Sequence, residues 1–160
     1  MSGRLYTLSQ KQITMPASGL PLISLYSDAN TAIEIERISI VNSGGAVASP
    51  QTLDFRVETL IAATVGTAGS GVTPEPTESN QGAALFTATG LESAAPTGTL
   101  KWFKDFGCNS AQGFDNTVDA PCVAGGTLSP GAVRCHTILV EQTPTGTVTL
   151  TVTVTVRERG

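Results

Sequence analysis

Ten residues near the end of the chain constrain its fold more than any others. From 147 to 156, Thr147, Thr149, Thr151, Thr153 and Thr155 alternate without a break with Val148, Leu150, Val152, Val154 and Val156. Successive side chains of a β-strand point to opposite faces, so this run has one aliphatic face and one ladder of hydroxyls. A helix would scatter the same aliphatic residues around its axis, and β-branched side chains favour strand. At roughly 3.3 Å per residue the run spans about 30 Å. A strand of that length needs neighbours on both edges and a second layer over its apolar face, or it becomes an aggregation site. The chain is therefore a β-protein whose core is completed by its C-terminal strand.

Other segments carry the same signal. Residues 5–15 hold a weak strand pattern ended by Pro16 and Gly19, and residues 21–26 form a short apolar run. In residues 32–41 the apolar set changes parity near Arg37, from Ile33 and Ile35 to Ile38 and Ile40. A β-bulge there returns both halves to the core; the alternative is a strand covered on both faces. Leu53, Phe55, Val57 and Thr59 alternate with Asp54, Arg56 and Glu58, and the strand runs on to Ala62. Residues 83–90 fit either a strand or a short helix. In residues 99–106, Leu100, Trp102 and Lys104 share a face opposite Phe103, and the aromatics read as core. Residues 133–142 alternate again, and Thr143-Pro144-Thr145-Gly146 reads as a hairpin turn into the final strand. Turn clusters separate about seven or eight strands, and no helix pattern competes. The expected fold is all-β: one domain over residues 1–160, an antiparallel β-sandwich or jelly roll with long irregular loops. Residues 1–10 are a candidate N-terminal arm. Residues 64–81, rich in Gly and Pro, read as an extended exposed loop; Pro74-Glu75-Pro76 cannot join the middle of a sheet.

The chemistry is sparse. Charged residues make up 14% of the chain and the net charge is −4, with nine scattered Lys and Arg. No basic cluster tracks a phosphate backbone, so nucleic acid is not an expected partner. No apolar run reaches the ~18 residues of a membrane span, and residues 1–15 lack the apolar core of a signal peptide, so synthesis in the cytoplasm is expected. His136 is the sole histidine and sits beside Cys135; on a strand the two point to opposite faces and read as structural. Cys108, Cys122, Cys135 and His136 lack Cys-x-x-Cys spacing and give no zinc pattern. A Cys108–Cys122 disulfide is one alternative and buried free thiols the other. Glu34 with Glu36, and Asp54 with Glu58, read as solvated strand faces rather than a glycosidase pair. The expectation is no enzyme, no catalytic residue, no metal and no cofactor.

Three stretches together carry a resemblance: residues 32–40 (AIEIERISI), residues 53–57 (LDFRV), and a Gly/Thr loop ending Val72-Thr73-Pro74-Glu75-Pro76-Thr77 before Gly82-Ala83-Ala84. This order resembles small β-rich head proteins of tailed bacteriophages, the capsid decoration or cement proteins. The resemblance covers about half the chain and does not include the cysteines. It implies a structural virion protein that binds the outer surface of the shell, contacts the major capsid protein, and forms a homo-oligomer, a trimer being favoured. It implies contact through the arm and the loop, with Leu5, Tyr6, Val72, Thr73, Pro74, Glu75, Pro76 and Thr77 as candidate partner-binding residues. The alternative is a carbohydrate- or receptor-binding β-sandwich module of a phage tail or spike.

Overall fold

The structure, a computed structural model, describes residues 3–27, 31–44, 50–117 and 133–159. The strands are β1 (Arg4–Thr14), β2 (Pro21–Ser27), β3 (Ala32–Asn42), β4 (Thr52–Thr64), β5 (Ser70–Gly71), β6 (Glu75–Pro76), β7 (Thr87–Gly90), β8 (Thr97–Asn109), β9 (Phe114–Thr117), β10 (Arg134–Val140) and β11 (Thr149–Arg159). There is no helix among the described residues, and residues 87–90, open to either reading in the sequence, are strand. One sheet has the order β6-β1-β11-β3-β9 and the other β5-β7-β2-β10-β4-β8. All pairings are antiparallel.

The pairing has a simple logic. β1 pairs with β11, β2 with β10, β3 with β9, and β4 with β8. The chain is thus one long antiparallel ribbon folded across itself. Two further pairings, β3 with β11 and β4 with β10, join the folds of the ribbon into two sheets. That connectivity is a jelly roll, with β5, β6 and β7 inserted at the tip of the ribbon between β4 and β8.

β11 lies inside its sheet, between β1 and β3, as its length demands. Val148, Leu150, Val152, Val154 and Val156 are at most 3% exposed. They meet Leu53, Phe55 and Val57 of β4 and Ile138 and Val140 of β10 in one continuous core. In β3 the register slips so that Arg37 faces Thr155 while Ile35 faces Val156. Glu36 is the extra residue, and the bulge buries Ile33 and Ile35 on one side of it and Ile38 and Ile40 on the other.

Three expectations are corrected. Residues 133–142 and 147–156 do not form a hairpin: β10 pairs with β2 and β4, β11 with β1 and β3. Their connection instead crosses from one sheet to the other, held where the Gln51 side-chain amide donates to Thr145 O (2.9 Å) and accepts from Thr145 N (2.7 Å). The proposed arm of residues 1–10 is not free, because residues 4–10 lie within β1, flanked by β6 and β11. Residues 64–81 are exposed along most of their length, as expected, although β5 and β6 tie them to the two sheets. Finally, Leu100 and Trp102 do not share a face. Leu100 faces Leu60 and Trp102 faces Thr59, so a bulge at Lys101 separates them. Trp102 and Phe106 pack on the core as expected, but Phe103 is 48% exposed.

Candidate functional site: the β1–β6 edge and its groove

The candidate residues from both ends of the sequence argument meet at one sheet edge. Glu75 and Pro76 pair with Thr7 and Tyr6. Thr77 closes the contact, its backbone N–H and hydroxyl both donating to Leu5 O at 3.0 and 3.1 Å. Proline has no N–H to give a second neighbour, so Pro74 and Pro76 suit an outermost strand. The other end of the segment belongs to the opposite sheet. Ser70 and Gly71 face Gly90 and Thr89, and Val72 N donates to Ala88 O at 2.9 Å. A Cβ on Gly69 would lie 2.2 Å from the Thr89 methyl and 2.9 Å from Gly90 O, so only glycine lets the segment approach β7 this closely. Residues 72–77 therefore bridge the open side of the sandwich as an exposed rib, fixed at both ends.

Not every candidate is a surface group. Tyr6 is fully buried, its hydroxyl donates to Gly82 O at 2.8 Å, and its ring meets Phe86 edge-on at 5.6 Å. It anchors the edge and cannot itself touch a partner, which corrects its expected role. Leu5, Val72 and Pro74 are half-buried, whereas Thr73, Glu75, Pro76 and Thr77 are exposed.

Beside the rib lies a groove of about 530 Å³, walled by Ser9, Lys11 and Ile13 of β1 and by Ser70, Val72 and Glu75 opposite. Among the described residues β6 pairs with β1 only as far as Thr7, so the β1 edge beyond it opens into this groove. At its floor Gln10 reaches across the sandwich, and its Nε2 donates to Leu22 O at 2.8 Å. A Cβ on Gly90 would come within 1.9 Å of that amide, so the glycine makes room for the crossing.

The groups with chemical potential lie elsewhere and are engaged. His136 is 3% exposed; its Nδ1 is 2.9 Å from Thr59 Oγ1 and its Nε2 2.9 Å from Ile33 O. Burial lowers its pKa to about 4, so it is neutral at pH 7. Cys135 points the other way, into a small cluster with Tyr26 and Leu60. Burial raises its thiol pKa and pushes that of Cys108 up to about 11; both are free thiols. Cys122 lies outside the described residues, and with it the expected alternative of a Cys108–Cys122 bond. Among the described residues no three His, Cys, Asp or Glu side chains gather as a metal site. Arg56 holds Asp105 at 2.6 Å, drawing the Asp105 pKa down, and Arg37 does the same for Asp115.

Two buried acids go unmarked in the sequence: Glu158, 1% exposed and paired with Arg4, and Glu92. Glu92 is 2% exposed and accepts hydrogen bonds from Ser24 Oγ at 2.8 Å and Tyr26 OH at 2.7 Å. Tyr26 OH in turn accepts from Gly66 N at 3.0 Å. A Cβ on Gly66 would lie 2.5 Å from Ala94 O and 2.6 Å from the Glu92 carboxyl. The insertion thus lies flat on the outer face of β2, pinned by this network. Nothing in the local pattern around Glu92 foretells it, because the partners come from β2, about seventy residues earlier.

Comparison with known proteins finds no matching family model, no similar curated protein and no similar solved structure.

Proposed function

We propose that the chain is a decoration protein: a structural component of a bacteriophage virion that binds the outer surface of the capsid and stabilises it. The observation that carries the proposal is the rib of residues 72–77, exposed yet fixed to both sheets, with an open strand edge and groove beside it. A segment that is already ordered loses little conformational entropy on binding, so its contacts convert more fully into affinity. An extended segment of the major capsid protein can add to the β1 edge beyond Thr7 by main-chain pairing, with Val72 and Ile13 receiving its apolar side chains. Thr73, Glu75 and Thr77 then contact the surface next to it. The function is mechanical: bridging neighbouring capsid subunits and burying apolar area across their seams, with the protein acting as a homo-oligomer on the particle surface. The jelly-roll architecture is compatible with this role, but the fold serves many functions and the weight rests on the rib and groove.

The test uses co-sedimentation of the purified chain with capsids lacking it. Glu75→Lys and Thr73→Arg change exposed side chains and leave the β1–β6 backbone pairing in place. Both are expected to weaken capsid association at least about tenfold while the thermal midpoint stays within a degree or two. Association unchanged in both variants would contradict this site.

A further inference from the structure

The groove beside the rib has one polar atom at its floor that no described residue pairs. Gln10 donates through Nε2 to Leu22 O at 2.8 Å, which fixes the orientation of its amide. Its Oε1 accepts no hydrogen bond among the described residues, yet it is not sealed from solvent, and Gln10 lines the groove. On the reading of this groove as a strand-binding site, we infer that Gln10 is its specificity residue. It accepts a hydrogen bond from an uncharged donor side chain, a hydroxyl or a carboxamide, on the extended segment that pairs with β1.

The backbone sets where that donor stands. Leu5 O accepts from Thr77 N, so Leu5 turns its backbone groups toward the β6 side. In an antiparallel strand every second residue faces the same edge, so Thr7 and Ser9 do so too. Thr7 is taken by Glu75, and Ser9 is the next residue whose N–H and C=O open into the groove. The β1–β11 register is regular from Arg4 to Gln10 and shifts only after it, so the alternation holds as far as Gln10. A strand bonded to Ser9 therefore sets one of its residues directly opposite Gln10, and residues opposite each other share a face. Tyr6 and Leu8, on the same face of β1 as Gln10, are fully buried, so that face is the inner one. The facing side chain of the bound segment thus enters beside the Gln10 amide.

The surroundings select an uncharged donor. Leu8 is the neighbour along that face, and Val72 and Ile13 wall the groove. An apolar side chain there would cover Oε1 and leave it with neither water nor a partner, which is costly. A carboxylate would face the carbonyl oxygen with no proton to give it. An ammonium or guanidinium would be stripped of water on the inner face. Ser, Thr, Asn or Gln supplies the donor without a charge to desolvate. The amide cannot turn round to offer an N–H instead, because its Nε2 is held on Leu22 O. A Cβ on Gly90 would come within 2.4 Å of Oε1, so the glycine leaves that atom uncovered.

Gln10→Met keeps the length of the side chain and removes the acceptor. Leu22 O retains the Leu91 N–H at 3.2 Å, so the change orphans no carbonyl, and circular dichroism checks the fold. Both proteins are panned against a displayed library of random heptapeptides. Peptides enriched by the wild-type chain are expected to carry Ser, Thr, Asn or Gln at one fixed position, and Gln10→Met to lose that preference while still binding peptides. Replacing that residue by Ala in an enriched peptide should weaken binding to the wild-type chain about tenfold, and binding to Gln10→Met by less than about twofold. Enriched peptides without a polar position, the same preference in both proteins, or no enrichment by the wild-type chain overturns the inference. Capsid binding is read separately, by co-sedimentation. A chain that selects donor-bearing peptides but does not sediment with capsids would remove the capsid as the partner and leave this role of Gln10 standing.

Discussion

His136 shows how one residue can look catalytic and be structural. Both ring nitrogens are committed, to Thr59 and to the backbone carbonyl of Ile33, so the imidazole ties β10 to β4 and reaches β3 across the core. Its depressed pKa makes a pH prediction. Below the ordinary value of 6.5 the unfolded chain takes up a proton that the native chain refuses, until about pH 4. Stability due to this group is therefore full above pH 6.5, falls as pH drops through that window, and levels off below about 4. Glu58, whose pKa burial raises, works in the opposite sense and offsets a part of the loss. Urea unfolding is expected to show a decline on the order of 2 kcal/mol between pH 7 and pH 4.5, and a much flatter profile in His136→Gln. Equal slopes in the two proteins would show that His136 does not titrate as the geometry requires. That Cys135 and His136 point apart was legible in the sequence, because a strand turns neighbouring side chains to opposite faces. The role of Glu92 was not, because a buried carboxylate is defined by donors that tertiary folding brings to it.

At the scale of strands, alternation told faces apart and could not name neighbours. The aliphatic face of β11 and the parity change in β3 were both legible, since each depends only on the two-residue period. That β10 and β11 belong to different sheets was not legible, because a short Pro/Gly connection permits either a hairpin or a crossing. β10 is buried on both faces, and it needs strands on both edges and cover on both sides; β2, β4 and the insertion supply them. The edge character of Pro74 to Pro76 was legible from proline chemistry, but its attachment to β1 was not. The β3 bulge gives the sharpest test at this scale. Deleting Glu36 removes the extra residue, so one half of the strand must turn its isoleucines to the outer face. Each buried isoleucine lost from a core costs about 2–5 kcal/mol, and two are lost together. The deletion is expected to abolish cooperative unfolding by circular dichroism, whereas Glu36→Gln, which keeps the count, should fold normally. A folded deletion variant would contradict the register.

For the whole molecule, the folded ribbon explains why the ends of the sequence carry so much of the architecture. β1 and β11 are paired, so the core is sealed only when the last strand docks between β1 and β3. The insertion at the ribbon's far tip adds buried Phe86 and Ala88 to that core. It covers the outer face of one sheet and bridges to the edge of the other, where it builds the rib and groove. Functional candidates named from the sequence thus gathered at one place, although as a paired edge rather than as a separate arm and loop. Binding to a capsid surface remains the claim on which the function turns, and quantitative mass spectrometry of purified virus particles tests it most directly. The account predicts this chain at a copy number comparable to that of the major capsid protein. Its absence from the particles, or its presence in only a few copies, would contradict a shell-wide decoration role.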